Sequence, residues 1–185
     1  YYTKIEALRI AATNLMNQLA AADPTISYVR MGAVSYNDQT QTPTNLTWGV
    51  TNAKNYVAAL TSTGGTDSTI AFKTGYQALN QTTENTAHQT KNGQVPKKTI
   101  VFMTDGDNNY TSADTYTKQW CDAARNNGVE VYSVAFMAPD RGKALLNYCA
   151  TTAGHYFAAE NATQLNAAFE YIGQQSVRAA SRLTQ

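Results

Sequence analysis

The feature that most constrains this chain is a short run with no polar interruption, Thr99-Ile-Val-Phe-Met103, which stops abruptly at Thr104-Asp105-Gly106-Asp107. A half-exposed strand alternates apolar and polar residues, so a continuous apolar run of this length belongs to a strand covered on both faces. A second buried strand is expected over Val129 to Phe136, after a helical segment from Ser112 to Asn127 that places Tyr116, Trp120, Ala123 and Ala124 on one face and ends at Gly128. Downstream the pattern gives a helix over Asp140 to Ala150, a short strand over His155 to Ala158, and a final helix from Asn161 to about Arg178 along which Leu165, Phe169 and Ile172 share a face.

Upstream, Thr3-Lys-Ile-Glu6 has the spacing of a capping box and opens a helix whose Ile5, Leu8, Ala12, Leu15 and Leu19 form one stripe as far as Asp23-Pro24. Ile26 to Tyr36 and Thr42 to Trp48 read as a β-hairpin, with Pro43 marking a sheet edge. A short helix is expected over Asn52 to Leu60, a break at Thr61 to Asp67, a helix from Ser68 to about Leu79, and a polar surface loop from Asn80 to Gln94. Buried strands alternating with amphipathic helices define an α/β, doubly wound fold, with a mainly parallel sheet, right-handed crossovers and an antiparallel edge hairpin. At 185 residues the chain is expected to form a single domain, residues 1–185. Fourteen Lys and Arg against thirteen Asp and Glu leave a formal charge of +1 with no basic stripe, which argues against nucleic acid and anionic membranes as partners. The apolar runs fall far short of the ~20 residues of a membrane span.

In open sheets of this type ligands bind beyond the carboxyl ends of the strands, which directs attention to Gly64–Asp67 and Asp105–Asn109. Asp105 follows a buried strand directly, and Thr66 offers a hydroxyl behind two glycines that permit close backbone approach. Hydroxyl, carboxylate and water are hard oxygen donors, suited to Mg²⁺, Mn²⁺ or Ca²⁺ and unsuited to Zn²⁺. The same residues also read as a helix-entry turn capped by Thr66 and an ordinary strand-ending turn at Asp105-Gly106. The tract Asp105-Gly-Asp107-Asn-Asn109 fails as an EF-hand loop, because Tyr110 stands where glycine is needed and Tyr116 where the closing glutamate belongs. His88 and His155 have no partner at ligand spacing and read as structural or solvated. Cys121 and Cys149 lie on neighbouring predicted helices and could meet across one face of the sheet; buried free thiols are an equal alternative.

Thr63-Gly-Gly-Thr-Asp67, followed by Ile100-Val-Phe-Met-Thr-Asp105-Gly106, resembles the second and third elements of the metal-ion-dependent adhesion site of von Willebrand factor A domains. Trp120-Cys121-Asp-Ala-Ala, Val129 to Phe136, Ala144-Leu-Leu-Asn-Tyr-Cys149-Ala, His155-Tyr-Phe157 and Arg182-Leu-Thr184 are similar to the TadG-like subset, bacterial envelope proteins associated with Tad pilus assembly. The resemblance implies a non-enzymatic protein-binding or scaffolding domain, periplasmic or otherwise extracytoplasmic, membrane-anchored through a preceding segment. Its divalent cation, Mg²⁺ before Mn²⁺ or Ca²⁺, would be held by Thr66 and Asp105, with Asp67 and Asp107 near it, and would bridge to an acidic side chain on a pilus or envelope partner. It further implies an oxidising compartment and a disulfide between Cys121 and Cys149.

In that family the first ligand motif, DxSxS, ends a central strand just before the helix that here opens at Thr3. The resemblance therefore implies a fold without its central first strand in these residues, an N-terminally incomplete domain whose strand lies upstream or comes from a separate segment, and cation binding that is weak or absent without it. Two other functions compete. A strand ending in Asp105-x-Asp107 also suits a haloacid-dehalogenase-like phosphatase, although Asn109 replaces the expected Thr or Val and the strand comes late in the chain. A metal-free, degenerate member of the same family, serving only as an interaction module, is the other.

Overall fold

The structure, a computed structural model, describes residues 2–181. The expected capping box opens α1 (Lys4–Ala22): the Glu6 amide donates to Thr3 Oγ1 at 3.3 Å and the Thr3 amide to the Glu6 carboxylate at 2.7 Å. The helix ends on Asp23, whose buried carboxylate accepts the amides of Ser27, Tyr28 and Val29 at 2.9, 2.8 and 2.8 Å. These bonds wind the chain through Ile26, at φ 53°, into β1 (Arg30–Ala33), which pairs antiparallel with β2 (Thr44–Trp48) as the hairpin pattern predicts. Then follow α2 (Thr51–Ala58), α3 (Thr69–Leu79), α4 (Thr82–Asn92), β3 (Thr99–Thr104), α5 (Thr111–Asn126), β4 (Glu130–Phe136), α6 (Asp140–Cys149), β5 (Tyr156–Ala159) and α7 (Ala162–Ser181).

β4 lies between β3 and β5, parallel to both, in register from Thr99↔Glu130 to Thr104↔Ala135 and from Ser133↔Tyr156 to Phe136↔Ala159. Its side chains go alternately to two cores. Tyr132, Val134 and Phe136 join Ala11, Leu15, Leu165 and Ile172 of α1 and α7. Val131 and Ala135, with Phe102 of β3, join Phe72, Cys121 and Leu146 of α3, α5 and α6. Both faces of the sheet are thus covered by helices, which is why these runs show no polar alternation.

The hairpin does not join this sheet. β3 pairs only with β4, and β1 only with β2. Between their free edges runs a cleft of about 560 Å³, flanked by Leu8 and Leu15 of α1 on one side and Ala71 and Gly75 of α3 on the other. The two strands run alongside in the same direction. Arg30 and Met31 lie at the Thr99 end, and the Tyr36 hydroxyl donates to the Met103 carbonyl, 2.7 Å, at the other. Among the described residues no strand lies between β1 and β3; the family resemblance implies a central strand in that place.

Two local expectations are corrected. The polar stretch 80–94 is not a surface loop: residues 82–92 form α4, closed by Gly93 in the left-handed region at φ 74°. Its only buried residue is His88, so no apolar stripe marked it as helical. Tertiary contacts hold it in place: Glu84 pairs with Arg30 at 2.7 Å, and the His88 ring packs on Trp48 with centroids 4.9 Å apart. His88 is therefore a core residue, and burial, reinforced by the Arg30 charge, lowers its pKa. On α5, Tyr116 is exposed; the inward face is Ala113, Thr117, Cys121 and Ala124, which puts a hydroxyl where the pattern suggested an aromatic.

Cys121 and Cys149 form a disulfide that ties α5 to α6, with Cα atoms 5.1 Å apart and a sequence separation of 28. A loop of that length should contribute roughly 3–4 kcal/mol on the chain-entropy account. The double variant Cys121→Ser, Cys149→Ser should lose about that much in urea unfolding.

Burial alone would raise the Asp23 carboxyl, but the three backbone donors outweigh it and hold its pKa below the ordinary carboxylate value. A carboxyl depressed on folding contributes stability that is present above its unfolded pKa and lost as pH falls through the folded one. Unfolding free energy measured from pH 7 downward should therefore fall below about pH 4. Asp23→Ala should cost about 1–3 kcal/mol at pH 7 and flatten that part of the profile.

Candidate metal centre

The loops after β3 and before α3 meet at the carboxyl rim of the parallel sheet. Thr66 and Asp105, far apart in sequence, come together there: a Cβ on Gly106 would lie 3.2 Å from Thr66 Oγ1. The two loops are stitched as a short ladder. The Thr66 amide donates to Asn109 Oδ1 at 3.0 Å and the Asn109 amide to the Thr66 carbonyl at 2.7 Å. Close approach explains the glycine pair: a Cβ on Gly65 would stand 2.5 Å from the Asn109 amide atoms, and Gly64, at φ +79°, would place one 2.5 Å from Asp38 Oδ1.

Beneath the rim is a buried polar network that sequence reasoning missed. Asn108 Oδ1 accepts from the Ser68 amide at 2.9 Å and hydroxyl at 3.1 Å, and its Nδ2 donates to Asp114 Oδ1 at 2.8 Å. The Ser68 and Thr117 hydroxyls are 3.0 Å apart, and Asp114 pairs with Arg141 Nε at 3.1 Å. The Arg141 guanidinium also donates to the Asn108 carbonyl. Ser68, Asn108 and Thr117 are all almost wholly buried, and such a satisfied network fixes loop positions more tightly than apolar packing does. The one sequence signal was a Ser at a helix start, an Asn pair and an inward-facing Thr, none distinctive alone.

The two accessory carboxylates are engaged locally. Asp67 Oδ1 accepts the Thr69 amide, 2.9 Å, at the start of α3, and Asp107 Oδ1 accepts the Gly142 amide, 2.6 Å, at the start of α6. Each places a negative charge on a helix N-terminus, where it is favoured. Gly142 permits the second contact, since a Cβ there would meet the Gly106 carbonyl at 2.6 Å.

Among the described residues no backbone amide donates to the Asp105 carboxylate. A cation already approaches it: Lys4 Nζ lies 3.5 Å from Asp105 Oδ2, 3.4 Å from the Asp105 carbonyl and 3.5 Å from the Met137 carbonyl. The Lys4 ammonium and the Thr66 hydroxyl thus both stand at the Asp105–Gly106 turn. Two side-chain oxygens fit part of a hard-cation shell, which takes about six. Among the described residues, no group of three or more His, Cys, Asp or Glu gathers at ligand distance.

A helix-covered parallel sheet carrying a Gly-Gly-Thr loop against a Thr-Asp-Gly turn defines a recognisable class. The family model of the von Willebrand factor type A domain matches residues 2–171, and the chain belongs to that family. In fold it is similar to the vWF domain of the type V pili tip protein Mfa5 from Porphyromonas gingivalis, at 13% identity and TM-score 0.76, covering 96% of this chain and 89% of that one. It is also similar to the pilus adhesin SpaC from Lactobacillus rhamnosus GG, at 15% identity, TM-score 0.75 and 96% coverage, of which it spans only 28%. A third similar structure is the proximal thread matrix protein 1 of the mussel byssus with a zinc-occupied MIDAS motif, at 15% identity, TM-score 0.62, and coverage of 89% of this chain and 41% of that one. Among curated proteins none matches significantly.

The stitched loops generate a steric prediction. Gly65→Ala must displace Asn109 and should destabilise by about 1–3 kcal/mol. Gly75→Ala, in a helix interior where an added Cβ meets nothing within 4 Å, should be neutral or stabilise by up to about 1 kcal/mol. Urea unfolding of the pair checks the contrast.

Proposed function

We propose that this chain is a non-enzymatic adhesion or scaffolding module that holds a divalent cation at Thr66 and Asp105 and through it engages an acidic side chain on a protein partner. The observation that carries the reading is the convergence of that hydroxyl and that carboxylate, with Lys4 as an internal positive charge, at one rim of the sheet. A bound dication would supply a strong, directional attraction for a carboxylate, lost when the ion is removed. Mg²⁺ is the first candidate on donor chemistry, with Mn²⁺ and Ca²⁺ next; the zinc in the mussel protein's site belongs to that protein. Asp67 and Asp107 would act on the cation only through the field they add, because each is committed to a helix amide.

The setting we propose is a bacterial envelope, in Tad-type pilus assembly or adhesion, extracytoplasmic and anchored by a segment outside these residues. The disulfide supports an oxidising compartment, and similar folds occur in pilus tip and adhesin proteins. No described helix is long and apolar enough to cross a membrane. The domain in this reading is N-terminally incomplete, so cation binding by residues 1–185 alone is weak.

The phosphatase reading requires Asp107 as a free general acid, and its commitment to the Gly142 amide counts against that role. A metal-free module remains the nearer competitor. Calorimetric titration with Mn²⁺ should give weak binding, near the ~10⁻³ M limit of sparse oxygen sites, that Asp105→Ala and Thr66→Ala each abolish. Identical heats from wild type and Asp105→Ala would overturn the cation site and leave the metal-free module. Mg²⁺-dependent turnover of p-nitrophenyl phosphate that disappears in Asp105→Asn would favour the phosphatase instead.

A further inference from the structure

Helix α4 is rich in Thr and Asn, has no apolar stripe, and buries one residue, His88. Eleven residues of such low propensity do not hold a helix in water unaided, so α4 depends on its side-chain attachments. These come from Glu84, His88 and Asn92, spaced four apart and therefore on one face. Glu84 grips the Arg30 guanidinium through both oxygens, at 2.7 and 3.1 Å. The His88 ring packs on Trp48, centroids 4.9 Å apart, and Asn92 Nδ2 donates to the Ser27 carbonyl at 2.7 Å. The helix is strapped to the β1–β2 hairpin by polar groups, and one of them titrates near neutrality.

The geometry around His88 suits only the neutral ring. Asn92 Oδ1 accepts the Gln94 amide at 3.0 Å, which fixes its Nδ2 as the group bonded to Ser27 and lying 3.3 Å from His88 Nδ1. Nδ1 must accept there; a proton on it would set donor against donor, and turning the Asn92 amide over would break two bonds. The charges about the ring point the same way. Arg30 comes from β1 and Lys98 from the segment before β3, while α4 itself brings Glu84 and Lys91. Arg30 and Lys91 already lie 5.1 and 5.6 Å from the centre of the Trp48 indole, and the one carboxylate, Glu84, is taken by Arg30. Lys97 is paired elsewhere, with Glu130 at 2.6 Å. Burial, then the Arg30 charge, lowers the His88 pKa against the smaller opposing pull of Glu84.

The sign follows. A histidine that must be neutral when attached favours attachment in full above its ordinary value of about 6.5, and that preference falls away as pH drops toward the lower attached value. We propose that α4 is an acid-released strap: a proton on His88 faces Arg30, Lys98 and the Asn92 amide, α4 leaves the hairpin, and Trp48 at the end of β2 is uncovered while the β3–β4 ladder stays intact. The ladder is insulated because its side chains enter two apolar cores that His88 does not join. The other histidine, His155, faces the Glu130 carboxylate at 2.8 Å, so a proton there meets an opposite charge. This does not rest on the cation reading.

The test is amide exchange on the 185-residue chain at about pH 7.5 and pH 5, corrected for the intrinsic effect of pH on exchange. Opening at residues 86–92 should rise about fivefold or more at the lower pH, since one proton permits up to about tenfold for each pH unit below 6.5. Phe102 and Ala135, in the ladder, should keep their protection. The His88 ring followed by NMR should titrate below its ordinary value of about 6.5. His88→Gln leaves an uncharged acceptor for Asn92 and should hold α4 equally at both pH values; His88→Phe, which keeps a ring on Trp48, is the second variant.

Unchanged opening of α4 in the wild type, or a His88 ring that titrates at or above its ordinary value, would overturn the proposal. So would an equal rise in both variants, which assigns the release to Glu84, and so would loss of Phe102 and Ala135 protection in step with α4, which makes the event global unfolding. Should both variants release α4 already at neutral pH, the wild type decides: opening that tracks the His88 titration supports the strap, and opening that does not overturns it.

Discussion

The parallel ladder between β3 and β4 is the interaction on which the other parts depend. It sets Thr99–Thr104 against Glu130–Ala135 without a slip, and a one-residue slip would exchange the two faces of every side chain. With that register fixed, β4 delivers Tyr132, Val134 and Phe136 to α1 and α7, and Val131 and Ala135 to α3, α5 and α6. The disulfide adds to the second of these layers, where Cys121 and Cys149 are buried beside Leu145 and Leu146. The rim loops can then be short and still exactly placed in only one sense: Asp105 takes its position from the last bonded residue of β3.

From there the rim is held by polar bonds. Asn108 and Asn109 act as two rungs, one buried and one exposed, that bind the 66–68 segment to the turn after β3. The buried rung is anchored below through Asp114 and Arg141, and the Asp107 carboxylate ties the same turn to α6 through Gly142. Two further carboxylates, Asp107 and Asp114, lie within ten residues of Asp105, yet each is committed, one to the Gly142 amide at a helix N-terminus and the other to Arg141. Asp105 is left as the acidic group available at the surface, which is the electrostatic reason a cation would choose it over its neighbours.

Much of this was legible in the sequence where the physical signal was local or periodic. The Thr3–Glu6 box, the two unalternating strands and the Leu165–Phe169–Ile172 stripe each carry their own pattern, and each element lies where that pattern put it. Helix α4 did not, because its position comes from the Arg30–Glu84 pair and from Trp48 on His88, contacts that span some 40 to 54 residues and leave no periodic trace. The same holds for the α5 face, where Thr117 turns inward because Ser68 supplies a hydroxyl partner. Thr66 and Asp105, the residues of the proposed cation site, were readable as residue types next to punctuation. The local bonds of Asp67 and Asp107 were not, since a carboxylate beside a cation and one capping a neighbouring helix look alike until Thr69 and Gly142 are seen to donate to them.

The open cleft and the proposed cation site share an end. Lys4 and Asp105 stand at the mouth of the gap between the sheets, one on the first turn of α1 and the other just past β3, and their ion pair is half exposed, with 42% and 51% of the side chains accessible. Such a pair contributes little to stability, so its geometry yields easily to a better partner.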